Sequence, residues 1–450
     1  EIESNDCRIW KWTLEGELMR VKPAAELRGR VDLPGDKSIS HRFAILGAMA
    51  RGRTRITNYS PSEDCRSTLR CLRELGVEMH VEADRIEMVS PGWDRLTAPA
   101  EDLDAGNSGT TMRLLSGLLA ARPFVSRIGG DESLNRRPMR RIVEPLTRMG
   151  ATIHCREGEY PPLEIHGALL NPIHYVLPVA SAQVKSCVLL AGLTAPGQTT
   201  VVEPAPSRDH TERALHVFGV PVRRDGLGIS VRGPVHLYGA VVHVPGDLSS
   251  ASFLITAALL RPGSTLTLPR IGVNPTRDGY LRLLEESGAA VHRQYETRVS
   301  EEPVCDLEVA GSLDFVNDFP QRVAGKQIPN LIDEIPILAV LATQLPNGLE
   351  VRDAAELRKK ESDRIDAVVG NLQAAGVAAE QFPDGFRVPY TPRIPGGSIS
   401  TCGDHRIAMA FAVLGLLSEN GVELDEPDCV DISFPGFFEV LTRLTGHAMR

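Results

Sequence analysis

Within PGDKSISHR (34–42), just ahead of the apolar run FAILGAMA, stand Lys37, Ser38 and Arg42. Cations are disfavoured at the start of a helix, where the backbone dipole is positive. A lysine and an arginine placed there imply a negatively charged ligand. Comparable places recur along the chain. Asn107, Ser108, Gly109 and Thr110 precede MRLLSGLLAA; Ser181, Gln183 and Lys185 precede CVLLAGLTA; Asp333 and Glu334 precede IPILAVLA; Asp404, His405 and Arg406 precede IAMAFAVLGLL. Free N–H groups at helix starts bind phosphate or carboxylate, and glycine lets an anion approach the backbone closely. Asp36, Ser38, Asn107, Ser181 and Asp333 are also residue types that cap helices, whereas lysine and arginine are not.

Two further clusters add charge, SLNRRPMRR (133–141) and ELRKKESDRI (356–365). Arg136 and Arg137 precede Pro138, which predicts the first turn of a helix; the alternative is a solvated basic face. Lys360, Glu361 and Arg364 have spacings that also suit surface ion pairs. Convergence of Lys37, Arg42, Arg137, Lys360, Arg364 and Arg406 in one cleft would require a polyanionic ligand to offset their repulsion. Asp333 and Glu361 would then stay ionised and could act as general bases, with a lysine beside them to shuttle a proton.

The elements that must position these residues form a repeat. VDLPGDKSISHRFAILGAMARGRTRI (31–56) aligns with VHVPGDLSSASFLITAALLRPGSTLTL (242–268): a short strand, Pro-Gly-Asp, serine, an apolar helical run, a glycine stop, then an alternating strand. The same order occurs in six copies, with helix starts expected near residues 36, 107, 181, 247, 333 and 404. Each copy reads as a βαβαββ-like block, with further helices at about 62–75 and 135–149. The helical runs are apolar nearly all round, which predicts buried helices. Six units suit two domains of three. The expected division is 36–245 in one domain and 19–35 plus 246–450 in the other, with hinges near 34–36 and 245–247 and residues 1–18 an extension.

Composition narrows the class. The net charge of −9 argues against a general nucleic-acid binder, so any anion site must be locally basic. Eight scattered cysteines without a CxxC pair suggest neither zinc nor a disulfide framework, and no apolar stretch is long enough to span a membrane. GxxxxGK[ST], HExxH and GxSxG are missing, which argues against a kinase, a metalloprotease or a serine hydrolase.

GDKSISHR, GNSGTTMRLL, NRRP, SAQVKS, PSRDHTER, IDEIPILA, KKESDRI, GDHRIAMA and SFPGFF follow one another in this order, and from about residue 21 to 445 the chain resembles the 5-enolpyruvylshikimate-3-phosphate synthase family. The resemblance implies a two-lobed inside-out α/β barrel, three βαβαββ units with buried helices per lobe. It also implies transfer of the enolpyruvyl group of phosphoenolpyruvate to the 5-hydroxyl of shikimate 3-phosphate, in the shikimate pathway of aromatic amino acid biosynthesis. Phosphate leaves from a tetrahedral intermediate, without metal or organic cofactor. A cytoplasmic monomer that binds neither nucleic acid nor membrane is the expectation.

Carried over by motif, Lys37, Ser38, Arg42, Ser181, Ala182, Gln183, Ser207, Arg208, Asp333 and Lys360 would hold shikimate 3-phosphate. Lys37, Gly109, Arg137, Gln183, Arg364 and Arg406 would hold phosphoenolpyruvate. Asp333 would take the 5-hydroxyl proton, and Glu361 with Lys37 would serve the methylene carbon. SISHR, SAQ, SRDH and Glu356 lean toward the second class of the family, whereas Gly109 is the small residue associated with sensitivity to glyphosate. UDP-N-acetylglucosamine enolpyruvyl transferase shares the architecture and donor, but its reactive cysteine loop and Lys-Asn motif are not seen. A noncatalytic anion-binding protein is disfavoured by the pair Asp333 and Glu361, since binding acids gains nothing from buried carboxylates.

Overall fold

The computed structural model describes residues 18–446, so the expected extension lies almost wholly outside the described residues. The six apolar runs are helices Lys37–Met49, Gly109–Leu119, Ala182–Gly192, Leu248–Leu259, Ile335–Ala342 and His405–Leu417. Every residue of Leu248–Leu259 and Ile335–Ala342 is buried, as their uniform apolarity requires. Asp36, Ser108, Ser181, Asp247 and Asp404 each accept a hydrogen bond from a backbone N–H of the first turn. The expected caps therefore hold for Asp36 and Ser181 but not for Asn107, Ser38 or Asp333. Asn107 lies one residue ahead of the cap Ser108, Ser38 is inside the first turn, and Asp333 precedes Glu334 at the fifth helix.

Each inner helix crosses between two parallel strands, and an antiparallel hairpin extends five of the six sheets. In the second unit, for example, Leu103–Asp104 runs parallel to Val125–Gly129, which pairs antiparallel with Tyr160–His166 and that in turn with Thr152–Arg156. Two units are completed crosswise. Arg28–Arg30 precedes the first helix in sequence yet pairs with Thr265–Gly272 beside the fourth; Val241–His243 precedes the fourth helix yet pairs with Ala50–Thr57 beside the first. The lead-in strands of the two Pro-Gly-Asp copies are thus exchanged, because the chain changes lobe between strand and helix. The sixth sheet is closed by Met19–Val21.

Buried apolar side chains fall into two clusters. One draws on Val21–Leu33 and Leu248–Leu444, the other on Ile39–Val244. Helices lie inside and sheets outside, so this is a two-lobed inside-out α/β barrel. At the two crossings the chain pairs with itself: Asp36 N–H donates to the Pro245 carbonyl at 2.8 Å and Asp247 N–H to the Pro34 carbonyl at 3.1 Å. A Cβ at Gly35 would overlap the Asn58 carbonyl oxygen, which accounts for glycine at that crossing.

The first basic cluster differs from expectation. Arg136–Arg137–Pro138 is a loop after the short helix Glu132–Asn135, and the next helix begins at Arg140. Met139 N–H donates to the Glu159 carbonyl at 2.6 Å, tying the loop to the hairpin behind it. Lys360 and Glu361 lie between a 3-10 turn, Ala355–Lys359, and the helix Arg364–Ala374. Among the described residues no helix is long and apolar enough to cross a membrane.

Candidate active site

The starts of all six inner helices meet at one cavity of about 420 Å³ between the lobes, represented by Lys37, Gly109, Gln183, Asp247, Asp333 and Arg406. Nine lysines and arginines share its wall with six carboxylates, so it is locally basic in a chain of net charge −9. Six helix dipoles add positive potential in the same direction. Such a place suits a ligand carrying several negative charges.

Asp333 sits at the centre of the cationic groups. Its carboxyl meets Arg208 Nη2 at 2.6 Å, Lys360 Nζ at 3.3 Å and Arg364 Nη1 at 3.5 Å, and Arg406 Nη1 donates to its backbone carbonyl at 2.9 Å. Burial raises its pKa, but Lys360, Arg406, Arg208 and Arg364 together outweigh burial and hold it well below the ordinary carboxylate range. Glu361 is treated alike. Burial opposes its charge, yet Arg364 at 2.6 Å and Arg137 at 3.5 Å, with His405 and Lys360, hold it well below that range. Because Arg137 and Arg208 come from one lobe and the two acids from the other, these pairs join the lobes across the cavity.

Lys37 Nζ lies 2.8 Å from Asp64. Burial lowers its pKa, but Asp64 and Glu361 raise it further, so the ammonium is held above its ordinary value. Gln183 is fixed at both ends: its Oε1 accepts from Arg113 at 2.9 Å and its Nε2 donates to Thr110 Oγ1 at 2.8 Å. Arg137 also donates to Asn107 Oδ1 at 2.8 Å and Ser133 Oγ at 3.1 Å. Ser38, Ser181, Ala182, Ser207 and Arg208 line the same wall.

Arg42, Arg364 and Lys185 are placed differently. Arg42 is behind the wall, donating to the Ser38 carbonyl at 2.7 Å, Thr211 at 2.7 Å and Ser186 at 3.0 Å; burial brings its pKa down to about 10. Arg364 also lies behind it, 1% exposed, with Asp404 at 2.8 Å. Lys185 is not at the anion site at all. It is fully buried between Glu203 at 3.1 Å and Glu212 at 2.8 Å, because position four of its helix faces the lobe interior.

Sequence reasoning missed Arg113, Asp64 and Arg277. Arg113 is four residues after Gly109 on the same helix, a spacing that brings it to the same face. Asp64 opens the helix Glu63–Glu74 and has no motif around it. Arg277, in the loop NPTRDG, is buried and joins the two crossings: its Nε is 3.2 Å from Asp36, and its Nη2 is 3.2 Å from Asp247 and 2.8 Å from Ser249. Its Nη1 faces Asp333 at 4.0 Å. Only the twin Pro-Gly-Asp turns hinted that two buried aspartates would need a common cation.

The profile of EPSP synthase (3-phosphoshikimate 1-carboxyvinyltransferase) matches residues 21–441. The 3-phosphoshikimate 1-carboxyvinyltransferase of Solibacter usitatus is 48% identical over 427 residues, covering 94% of this chain and 99% of that protein. The protein of the same name from Brevibacillus brevis is 46% identical over 429 residues, 95% and 100% respectively. The solved EPSP synthase of Acinetobacter baumannii superposes with a TM-score of 0.84 at 39% identity, covering 96% of this chain and 99% of that one. The enolpyruvyl transferase NikO of Streptomyces tendae shares the fold at a TM-score of 0.76 and 19% identity, covering 96% and 98%. By profile, sequence identity and superposition, the chain belongs to the EPSP synthase (3-phosphoshikimate 1-carboxyvinyltransferase) family.

Proposed function

We propose that this protein transfers the enolpyruvyl group of phosphoenolpyruvate to the 5-hydroxyl of shikimate 3-phosphate, releasing inorganic phosphate. The carrying observation is the meeting of six helix starts and nine cations around Asp333 and Glu361. Shikimate 3-phosphate is assigned to the side with Lys37, Ser38, Ser181, Ala182, Gln183, Ser207, Arg208 and Lys360, its ring hydroxyl toward Asp333. Arg42 supports Ser38 from behind. Phosphoenolpyruvate is assigned to Lys37, Gly109, Arg137, Gln183 and Arg406, with Arg364 orienting Glu361.

The bound acids draw the cations away from the two carboxylates, which makes those carboxylates stronger bases where they are needed. In the addition step Asp333 takes the hydroxyl proton as oxygen bonds to C2 of phosphoenolpyruvate, and the Lys37 ammonium gives a proton to the methylene carbon. In the elimination Glu361 removes a proton from the resulting methyl group, the C2=C3 bond reforms, and phosphate departs with the electrons of its C–O bond. Closing the lobes, 36–245 against 19–35 plus 246–450, supplies orientation and excludes water. All groups come from one chain, which supports a monomer as the acting unit, and buried thiols at Cys65, Cys71, Cys187 and Cys305 suit a reducing cytoplasm.

The test is phosphate release from phosphoenolpyruvate with each acceptor. Release only with shikimate 3-phosphate is expected; release with UDP-N-acetylglucosamine favours the related transferase, and none with either leaves an anion-binding protein.

Glyphosate belongs to the same reading as a competitor of phosphoenolpyruvate. A Cβ at Gly109 would come within 2.5 Å of the Arg113 guanidinium and 3.6 Å of Arg137. Arg113 is the flexible end of a side chain, so alanine is accommodated by moving it, and Gln183 moves with it. Gly109→Ala should therefore raise the glyphosate inhibition constant by roughly 10-fold or more (about 1.4 kcal/mol), with a smaller rise in KM for phosphoenolpyruvate. Unchanged steady-state inhibition in that variant would remove Gly109 from the explanation.

A further inference from the structure

We propose that His154, Glu164 and His166 form a binding site for a borderline divalent transition-metal ion, Zn²⁺ or Ni²⁺, on the outer sheet of residues 103–166. His154 lies on Thr152–Arg156, the edge strand of that sheet, and Glu164 and His166 lie on its neighbour Tyr160–His166. The register pairs His154 with Glu164 and Thr152 with His166. Side chains two apart on a strand share a face, and His154 sits directly opposite one ligand and diagonal to the other. All three therefore project from the outward face, while Leu163 and Ile165, on either side of Glu164, are buried.

The donor atoms lie within 4.8 Å of one another, and no other such group of three occurs among the described residues. His166 Nε2 is already 2.8 Å from Glu164 Oε1, and the two imidazoles stand edge to face at 5.4 Å. Zn–N and Zn–O bonds of about 2.0–2.2 Å in tetrahedral geometry set donors roughly 3.4 Å apart. Binding would draw the donors together by side-chain rotation, for which the exposed His154 has room.

The nearest cation on the next strand is Arg127, opposite Glu164, and its guanidinium is drawn to Asp102 at 3.0 Å. The close partner of Glu164 is thus His166, at 2.8 Å. Two imidazoles and one carboxylate favour zinc, nickel or copper over magnesium or calcium. None of the three residues lines the cavity between the lobes. The site has a structural consequence. The ion would clamp an edge strand to its neighbour, and the turn joining these strands supports the loop of Arg137 through Met139 N–H to the Glu159 carbonyl and Arg156 to the Asn135 carbonyl at 2.7 Å.

The experiment titrates the full chain with ZnCl₂ and with NiCl₂ by calorimetry, alongside thermal melts with either metal or with MgCl₂. One zinc per chain is expected, with a raised Tm that magnesium does not reproduce. His154→Ala and His166→Ala should each weaken zinc binding by more than about 100-fold, beyond the roughly 10–100-fold that losing a supporting partner costs, and Glu164→Gln should weaken it less. Metal-free phosphate release by these variants should equal that of the unaltered protein, which shows that they fold. Zinc affinity unchanged in His154→Ala, binding abolished by cysteine alkylation alone, or no heat of binding at millimolar zinc would each overturn the proposal.

Discussion

Asp333→Ala should lower turnover by roughly 10²–10⁴-fold, the usual contribution of a positioned general base, while shikimate 3-phosphate still binds. The two effects separate because of what surrounds the residue. Its carboxylate is the common partner of Arg208, Lys360 and Arg364, and Arg406 holds its backbone carbonyl. Removing one negative charge from the midst of these cations leaves them more attractive to a phosphate. Affinity for shikimate 3-phosphate, measured by calorimetry without phosphoenolpyruvate, should be kept or improved even as steady-state phosphate release falls. Asp333→Asn provides the isosteric comparison: it keeps hydrogen bonds but cannot accept the proton, and should be about as slow. Near-normal release by Asp333→Asn would take the base role away from this residue.

Arg277→Met should destabilise the fold by about 3–5 kcal/mol, the cost typical of leaving buried charge without its partner. Asp36 and Asp247 cap two helices from opposite lobes and are 3% and 5% exposed, and Arg277 is the cation between them. Burial opposes charge on Asp36, but Arg277 and His210 outweigh it and its pKa is lowered; burial and the neighbouring Asp36 leave that of Asp247 raised. One guanidinium thus serves two carboxylates unequally. Without it both would have pKa values raised by burial and mutual repulsion. The loss should be full at neutral pH and should shrink as acid protonates the carboxylates in the folded state. Urea unfolding of both proteins at about pH 7.5 and about pH 5 measures this. An equal loss at both pH values would point to packing instead of charge, and no loss would mean the aspartates need no common partner.

Much of this site was legible along the chain. Lys37 and Arg406 stand where a cation is locally unfavourable, so the ligand charge could be inferred before any contact was known. The six helices were legible because each is apolar around its whole circumference. Other features were not. Arg42 and Arg364 carry the right charge in the right motifs, yet they face inward to Ser38 and Asp404, and which side of a helix start faces a cleft depends on how the helix packs. Lys185 looked like a ligand by proximity, but its acidic partners Glu203 and Glu212 lie 18 and 27 residues further on. Arg136 and Arg137 form a loop because Met139 is tied to Glu159, a contact that local propensity does not contain.

By itself, the amino-acid order determined the repeated units, the buried character of their helices and the electropositive helix starts. These depend on near-neighbour spacing and on the dipole of each helix. Tertiary structure decided which strand completes which sheet and which cation reaches which acid. The exchanged lead-in strands and the contact of Arg277 with Asp36 arise from pairings over some 200 residues, where the energy lies in burial and Coulomb contact between segments far apart in sequence.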